Sequence, residues 1–245
     1  MNHNTNLYSF HSGRKGLAIL IDPDSYSEES LEKVIKISNE SKVDFFLVGG
    51  SLTFNSIEDS IKIIRRYSDL PVILFPGNVL QVSSLADGIL FLSLISGRNP
   101  EFLIGHHVLA APEIKKSGID VYPTAYILIE NGKQTSVEYM SNTSPIPADK
   151  SEIAVATSIA GELLGLKLCY LEAGSGAMQS VGLNLISEVR KNISSPILVG
   201  GGIKSSQQAS LIYEAGADII VAGNAVEESP ELIKLLAASR DKINN

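Results

Sequence analysis

The sequence predicts a (β/α)8 TIM barrel, an α/β fold in which a single domain spans residues 1–245. Eight short apolar runs recur along the chain, segments with helical spacing follow them, and no Pro/Gly/Ser-rich linker divides them. Continuous apolar runs are typical of parallel strands buried on both faces, and about 250 residues is a usual length for eight βα units. A doubly wound open sheet is the alternative.

The first four predicted strands are the runs GLAILID, DFFLVGG, PVILFPG and GILFLSLIS, at residues 16–22, 44–50, 71–77 and 88–96. Apolar residues with helical spacing follow the first two runs, at Leu31, Val34 and Ile35 and at Ile57, Ile61 and Ile64. We therefore expect an amphipathic helix after each strand.

The last four predicted strands are AYILIE, LKLCYLE, PILVGGG and DIIVAG, at residues 125–130, 166–172, 196–202 and 218–223. One segment departs from the alternation, because Asn131 and Gly132 lie between two alternating runs in YILIENGKQTSVEYMS. An Asn-Gly pair in that setting is a strong hairpin signal. We expect strand five to extend into a hairpin, followed by the loop NTSPIPADK and a helix that begins near Asp149.

Composition limits the classes of function. The 27 acidic and 20 basic residues give a net charge of -7, which argues against a nucleic-acid surface, so phosphate groups would have to be bound locally. The single cysteine, Cys169, excludes an intrachain disulfide and lies in an apolar run typical of a core.

The amino terminus is polar and no apolar run approaches the roughly 20 residues that span a bilayer. We expect a cytoplasmic protein, with peripheral membrane contact left open.

Ligands of such a barrel bind at the carboxyl ends of the strands, where glycine and small polar residues dominate this sequence. VGGGIKS ends strand seven and VAGNAVEE ends strand eight, and these two loops often form a phosphate site in a barrel. Each loop precedes a helix amino terminus, whose N–H groups and dipole favour an anion. For the glycine triplet alone, the alternative is a tight βα turn that needs unusual dihedral angles. Lys204 is expected to point to solvent.

Carboxylates end strands six and one. Tyr170 and Glu172 occupy alternate positions of strand six, so their side chains share a face. Glu172 can accept a hydrogen bond from a substrate hydroxyl or act as a general base. The alternative is a salt bridge to a neighbouring strand end. Asp22 follows strand one and is the kind of hard oxygen ligand that Mg2+ prefers beside phosphates, whereas Asp24 is expected to belong to the turn. Ser51 supplies an oxygen for the same metal, and Ser175 one for the phosphate.

Other cofactor signals are absent from the sequence. The four histidines lack zinc-ligand spacing, and there is no Walker loop and no well-placed dinucleotide fingerprint; the histidines are His3, His11, His106 and His107. We predict His106 and His107 to be helix or loop residues. Neither ATP nor NAD chemistry is indicated.

The ordered motifs LIDPD, VGGSLT, YLEAGSGA, GGGIKS and AGNAVEE resemble the geranylgeranylglyceryl phosphate synthase family, which includes the bacterial PcrB heptaprenylglyceryl phosphate synthases. The hairpin region looks like the larger archaeal and Bacteroidetes-type branch. In the PcrB branch a lysine stands two residues before the metal aspartate, where this chain has Leu20. The resemblance therefore favours the archaeal and Bacteroidetes-type branch over the PcrB branch.

The resemblance implies a homo-oligomeric modified TIM barrel that joins sn-glycerol 1-phosphate to a prenyl diphosphate, C20 favoured, through an ether bond, with Mg2+ and release of diphosphate. It implies Mg2+ at Asp22 and Ser51, and together with the pattern of strand six we predict catalytic roles for Glu172 and Tyr170. It implies a glycerol phosphate site formed by Tyr170, Leu171, Glu172, Ala173, Gly174, Ser175, Gly176, Gly201, Gly202, Gly223 and Asn224. A long apolar groove should receive the prenyl tail, but the sequence does not assign its floor.

Three alternatives stay open at this point. One is a heptaprenylglyceryl phosphate synthase. Another is a different phosphate-binding barrel enzyme, such as a sugar phosphate isomerase or a relative of indole glycerol phosphate synthase, with Asp22 and Glu172 as its acid/base pair. The third is a non-catalytic barrel that binds a phosphorylated ligand or a partner protein.

Overall fold

The computed structural model describes residues 6–245 and contains a closed barrel of eight parallel strands. Each strand pairs with the next one along the chain, and β1 pairs with β8 to close the barrel. The strands are β1 (Gly16–Ile21), β2 (Phe45–Val48), β3 (Val72–Leu74), β4 (Gly88–Leu94), β5 (Asp120–Leu128), β6 (Leu168–Glu172), β7 (Ile197–Gly200) and β8 (Ile219–Ala222). The predicted barrel is confirmed, and the open sheet is wrong.

Within residues 6–245, every strand except β3 is followed by at least one helix. A 3-10 helix (Leu7–Ser12) precedes β1, and a π-helical turn (Glu101–Gly105) precedes α3. The α-helices are α1 (Glu28–Glu40), α2 (Ile57–Tyr67), α3 (His106–Ser117), α4 (Ser136–Ser141), α5 (Ser151–Leu163), α6 (Leu183–Asn192), α7 (Ser206–Glu214), α8 (Asn224–Glu228) and α9 (Leu232–Asn244).

The connection between β3 and β4 differs from the expectation of a helix after every strand. The Asn78 side chain accepts a hydrogen bond from the Leu80 N–H at 2.9 Å, and Ser83 accepts one from the Leu85 N–H at 3.3 Å. Such local bonds offer the backbone an alternative to the helix. The outer layer of helices is therefore interrupted beside β3 and β4.

The predicted hairpin after strand five is wrong. The turn at Gly132 forms, with φ of 90°, but the chain then enters α4 instead of a second strand. The Thr135 N–H donates to the Glu138 carboxylate at 3.2 Å, the capping-box arrangement that begins a helix. The Thr-x-x-Glu spacing was present in the sequence and outweighs the Asn-Gly signal. The next long helix, α5, begins at Ser151, close to the predicted start.

Apolar side chains fill the interior of the barrel, between a closed amino-terminal end and an open carboxyl end. The amino-terminal end is closed by Leu7 and Phe10 of the 3-10 helix, both buried. At the carboxyl end, three aromatic rings form the floor of the mouth: Phe75 and Tyr170 stack with centroids 5.4 Å apart, and Tyr126 lies edge-on to both. The mouth above these rings is the place where ligands can enter.

Other predictions concern single residues and segments. Cys169 is buried, as predicted for a core residue. His106 and His107 are in α3, which agrees with the prediction, whereas His3 lies outside the described residues. None of the helices in residues 6–245 has both the length and the apolar character needed to cross a membrane.

A substitution at the closed end of the barrel tests this division of the fold. Phe10→Ala should lower the free energy of unfolding by about 3 to 5 kcal/mol, because it leaves a cavity beneath the strands. The exposed Leu163→Ala on α5 is the control, with an expected change within about 0.5 kcal/mol. Urea denaturation followed by circular dichroism measures both, and equal effects would contradict the buried position of Phe10.

Candidate active site

Two cavities meet at the carboxyl ends of the strands. A polar cavity lies over the barrel axis, between the loops that follow β1, β6, β7 and β8. An apolar cavity extends from it along β4 toward α3, and the connection between β3 and β4 lines its other side. The two share the lining residues Gly50, Ser51, Phe75, Tyr126 and Val137. An ionic group and a long apolar group can therefore bind side by side at this junction.

Glu172 lies at the base of the polar cavity. It is the last residue of β6 and only 5% exposed, and its Oε1 accepts a hydrogen bond from the Gly174 N–H at 2.6 Å. Burial raises the pKa of the carboxyl group to about 7, although the Gly174 N–H and the Tyr170 hydroxyl act in the opposite direction. A carboxyl group with that pKa can exchange a proton near neutral pH. The predicted alternative, a salt bridge, is not found among the described residues.

Tyr170 lies on the same inward face as Glu172, as the strand alternation predicts. The side chain is fully buried, and its hydroxyl forms no hydrogen bond of normal geometry within the described part of the chain. A Cβ at Gly200 would overlap this hydroxyl and would lie 2.9 Å from Glu172 Oε2. The glycine that ends β7 therefore gives both polar groups their space.

The next two glycines of the triplet serve a related purpose. Gly201 and Gly202 have φ of 82° and 69°, which L side chains rarely adopt. A Cβ at Gly201 would lie 2.6 Å from Glu172 Oε1, and one at Gly202 would lie 2.5 Å from the Gln179 carbonyl. The tight turn is thus present, and the same glycines line the polar cavity, so both interpretations of the triplet hold.

Asn224 joins the loops that follow β6 and β8. Its Oδ1 accepts hydrogen bonds from the Ser175 hydroxyl and the Gly176 N–H, both at 3.0 Å. Asn224 follows Gly223 directly and begins α8, and all four residues line the polar cavity. By contrast, the side chains of Leu171 and Ala173 pack outward, and Gly174 contributes its N–H to Glu172 without lining the cavity.

Asp22 and Ser51 line the polar cavity from the side of β1 and β2. Asp22 Oδ1 accepts from the Asp24 N–H at 3.0 Å, and a Cβ at Gly50 would lie 2.8 Å from Oδ2, so the carboxylate lies directly against the loop that carries Ser51. Burial raises the Asp22 pKa, and the nearby charge of Asp24 adds to the rise. Asp24 instead accepts from the Asn55 N–H at 2.7 Å, consistent with its predicted place in the turn.

The donor set fits Mg2+ held mainly by substrate oxygens. A carboxylate and a hydroxyl are hard oxygen ligands, and Mg2+ commonly binds one or two protein groups together with phosphates and water. Residues 6–245 contain no group of three or more His, Cys, Asp or Glu side chains that could hold a metal by themselves. The protein part of such a site would therefore be Asp22 and Ser51.

The sequence analysis gave no role to several residues that line the cavities. Glu227, one helical turn after Asn224, enters the polar cavity, and burial together with the charge of Asp22 raises its pKa. Its spacing from Asn224 on one helix face was the available signal. Phe75 and Tyr126 face the junction because they continue the inward alternation of β3 and β5, but their importance depends on the second cavity, which local patterns do not predict.

The apolar cavity is lined by β4, the π-helical turn and α3. Phe91 and His107 contact edge-on with centroids 4.4 Å apart, and Phe102 and His106 do so at 4.6 Å. His107 is 3.2 Å from the Ser93 hydroxyl, and burial lowers its pKa, which favours the neutral ring at neutral pH. The cavity can therefore accept a hydrocarbon without burying an unpaired charge.

Known proteins are similar to this chain in sequence and in structure. The model of the PcrB family matches residues 13–240. The chain belongs to the PcrB family. Two relatives named geranylgeranylglyceryl phosphate synthase are similar over most of their length: the protein of Spirosoma linguale is 52% identical over 92% of this chain and 91% of its own, and that of Methanosphaera stadtmanae is 42% identical over 92% of each.

This PcrB family member is similar in structure to an enzyme solved with a bound ligand. The crystal structure of (S)-3-O-geranylgeranylglyceryl phosphate synthase from Thermoplasma acidophilum, in complex with its substrate sn-glycerol-1-phosphate, has a TM-score of 0.92 and 31% identity to this chain. The similarity covers 99% of both chains. The family resemblance seen in the sequence motifs is confirmed.

The raised pKa of Glu172 predicts a pH-dependent stability. The folded state holds this proton between the ordinary pKa of 4.5 and about 7, so the wild type should lose about 2 to 4 kcal/mol of unfolding free energy across that range. Glu172→Gln keeps the hydrogen-bond acceptor but cannot ionise, so it should lack this loss. Urea denaturation of both proteins at pH 4.5 and pH 8 measures the difference. If the difference in unfolding free energy between the wild type and Glu172→Gln is the same at both pH values, the raised pKa is contradicted.

Proposed function

We propose that this chain is a prenyltransferase that joins sn-glycerol 1-phosphate to geranylgeranyl diphosphate through an ether bond, giving geranylgeranylglyceryl phosphate and diphosphate. The observation that carries the proposal is the junction of the polar and apolar cavities at Gly50, Ser51, Phe75, Tyr126 and Val137. A prenyl diphosphate has an ionic head and a hydrocarbon tail, and the two cavities match these parts. The names of the relatives and the ligand of the Thermoplasma acidophilum enzyme support the same reaction.

In this proposal the reacting atoms meet at the junction. With the tail along β4 and the diphosphate at the polar side, the first carbon of the prenyl chain would lie near Phe75 and Tyr126, which line both cavities. Glu172 is at the base of the polar cavity, on the side where the glycerol hydroxyl would enter. Holding both reactants in one geometry supplies much of the catalysis in such a reaction.

Glu172 acts as general base in this proposal. The glycerol hydroxyl forms a bond to the first prenyl carbon and gives its proton to Glu172, and the bond from that carbon to the diphosphate oxygen breaks with its electron pair. The Tyr170 hydroxyl, which has no other partner of normal geometry in the described chain, orients the carboxylate or the incoming hydroxyl. When bound by Asp22 and Ser51, Mg2+ supplies positive charge that stabilises the departing diphosphate.

The glycine loops would bind the phosphate of the acceptor. Gly201, Gly202 and Gly223 leave room for close approach to the backbone, and the phosphate can replace Asn224 Oδ1 as acceptor for the Ser175 hydroxyl and the Gly176 N–H. Lys204 lines the same cavity with an exposed side chain and adds a positive charge. These contacts orient the acceptor and form no bond to carbon.

The apolar cavity distinguishes this proposal from the two alternatives that have no prenyl substrate. A sugar phosphate isomerase or a simple phosphate-binding barrel needs the polar cavity alone, and neither requires an apolar cavity beside it. Leu20, which lines the polar cavity where the heptaprenyl branch has a lysine, supports the C20 substrate. The homo-oligomer, the cytoplasmic location and peripheral membrane contact remain predictions.

A product assay tests the proposed reaction. Labelled sn-glycerol 1-phosphate is incubated with C15, C20 and C35 diphosphates in competition, and the organic extract is analysed for chain length. We expect extractable label, mainly as the C20 product, and its loss with EDTA followed by recovery with Mg2+. Wild-type protein that gives no extractable label would refute the prenyltransferase, and activity unchanged by EDTA would remove Mg2+ from the mechanism.

Two variants in the same assay separate the base from other carboxylates. Glu172→Gln should lower turnover by about 100-fold or more, the usual contribution of a general base. Glu130→Gln, at an exposed carboxylate after β5, is the matched control and should leave turnover unchanged. Comparable turnover in the two variants would remove Glu172 from the mechanism.

A further inference from the structure

Two glutamine side chains join neighbouring loops on opposite sides of the barrel mouth. Gln81 lies in the connection between β3 and β4 and is 3% exposed. Gln208 lies in the first turn of α7 and is half-buried. Neither has a role in the reaction described above, yet the side-chain amide of each forms three hydrogen bonds.

Gln81 holds the loop after β2 against the loop after β3. Its Nε2 donates to the Gly50 carbonyl and to Thr53 Oγ1, both at 3.0 Å, and its Oε1 accepts from the Gly77 N–H at 2.8 Å. Because the amide is buried, its loss would leave the Gly50 carbonyl and the Gly77 N–H without these partners. The distance between the two loops therefore depends on this side chain.

The position of these loops matters because they carry the junction of the two cavities. Gly50 and Ser51 line both cavities, and Gly77 lines the apolar one. A Cβ at Gly77 would overlap the Gly50 carbonyl, so the loops already touch at their backbones. A small separation would move Ser51 away from Asp22 and open the place proposed for the diphosphate.

Gln208 forms the corresponding contacts on the other side of the mouth. Its Nε2 donates to Ser180 Oγ at 2.8 Å and to the Gly202 carbonyl at 3.2 Å, and its Oε1 accepts from the Lys204 N–H at 2.9 Å. These bonds hold the loop after β7 against the loop after β6. Gly202 and Lys204 line the polar cavity, where the glycerol phosphate is proposed to bind.

We propose that Gln81 and Gln208 are positioning residues that act on different substrates. Gln81 sets the loops that receive the prenyl diphosphate, and Gln208 sets the loops that receive the glycerol phosphate. This inference rests on the proposed function, because it assigns one substrate to each side of the mouth. It predicts that the binding of each substrate can be weakened separately, although the two sites adjoin in the barrel mouth.

Methionine substitutions test the inference, since methionine keeps the length of glutamine without its hydrogen bonds and adds no charge. Gln81→Met should raise KM for geranylgeranyl diphosphate about tenfold, the effect of leaving buried polar groups unpaired, and change KM for sn-glycerol 1-phosphate less than about twofold. Gln208→Met should show the reverse. Calorimetric titration with sn-glycerol 1-phosphate alone should find weaker binding only in Gln208→Met.

Milder variants decide the matter if a methionine variant does not fold. Thr53→Val removes one partner of Gln81, and Ser180→Ala removes one partner of Gln208. Each should shift the same KM as its glutamine variant by about two- to fivefold, with an unchanged melting temperature.

The outcomes separate this inference from the proposed reaction. Suppose that the wild type makes the ether product, but a variant on one side of the mouth raises the KM values for both substrates, or for neither. The assignment of one substrate to each glutamine is then overturned, and the proposed reaction stands. If the wild type makes no product, the proposed function itself fails. A general loss of melting temperature with parallel loss of both substrates would indicate a structural role only.

Discussion

The connection between β3 and β4 is the constraint on which the rest of the site depends. Because it forms turns instead of a helix, the outer layer is open beside β4, and an apolar cavity runs from there to the barrel mouth. A helix in that position would fill this space with its own buried face. The gap therefore adds a place for a long hydrocarbon to a barrel whose opposite loops are suited to an anion.

Close packing of the glycine-containing loops determines the chemistry of the polar cavity. Gly200 and Gly201 lie so near to Tyr170 and Glu172 that any side chain would displace them. Their absence of side chains lets the loop after β7 cover the carboxyl group, and this burial is the main cause of its raised pKa. The triplet thus serves the proposed base as well as the phosphate, a link that the sequence alone did not suggest.

Features set by strand periodicity were predictable, and features set by contacts between distant segments were not. Tyr170 and Glu172 share a face because strands alternate, and the ends of the apolar runs located the mouth correctly. The predicted hairpin does not form, because the capping box of Thr135 and Glu138 begins a helix soon after the turn at Asn131. The apolar cavity and the contacts of Gln81 depend on how loops and α3 pack in three dimensions, which no local pattern records.

The most direct measurement is a crystal structure of the protein with sn-glycerol 1-phosphate and a non-hydrolysable thiolo analogue of geranylgeranyl diphosphate. We expect the tail along β4, the first prenyl carbon between Phe75 and Tyr126, and the glycerol hydroxyl within hydrogen-bond distance of Glu172. A tail that lies outside the apolar cavity, or a glycerol hydroxyl that faces away from Glu172, would contradict prenyl transfer at the junction.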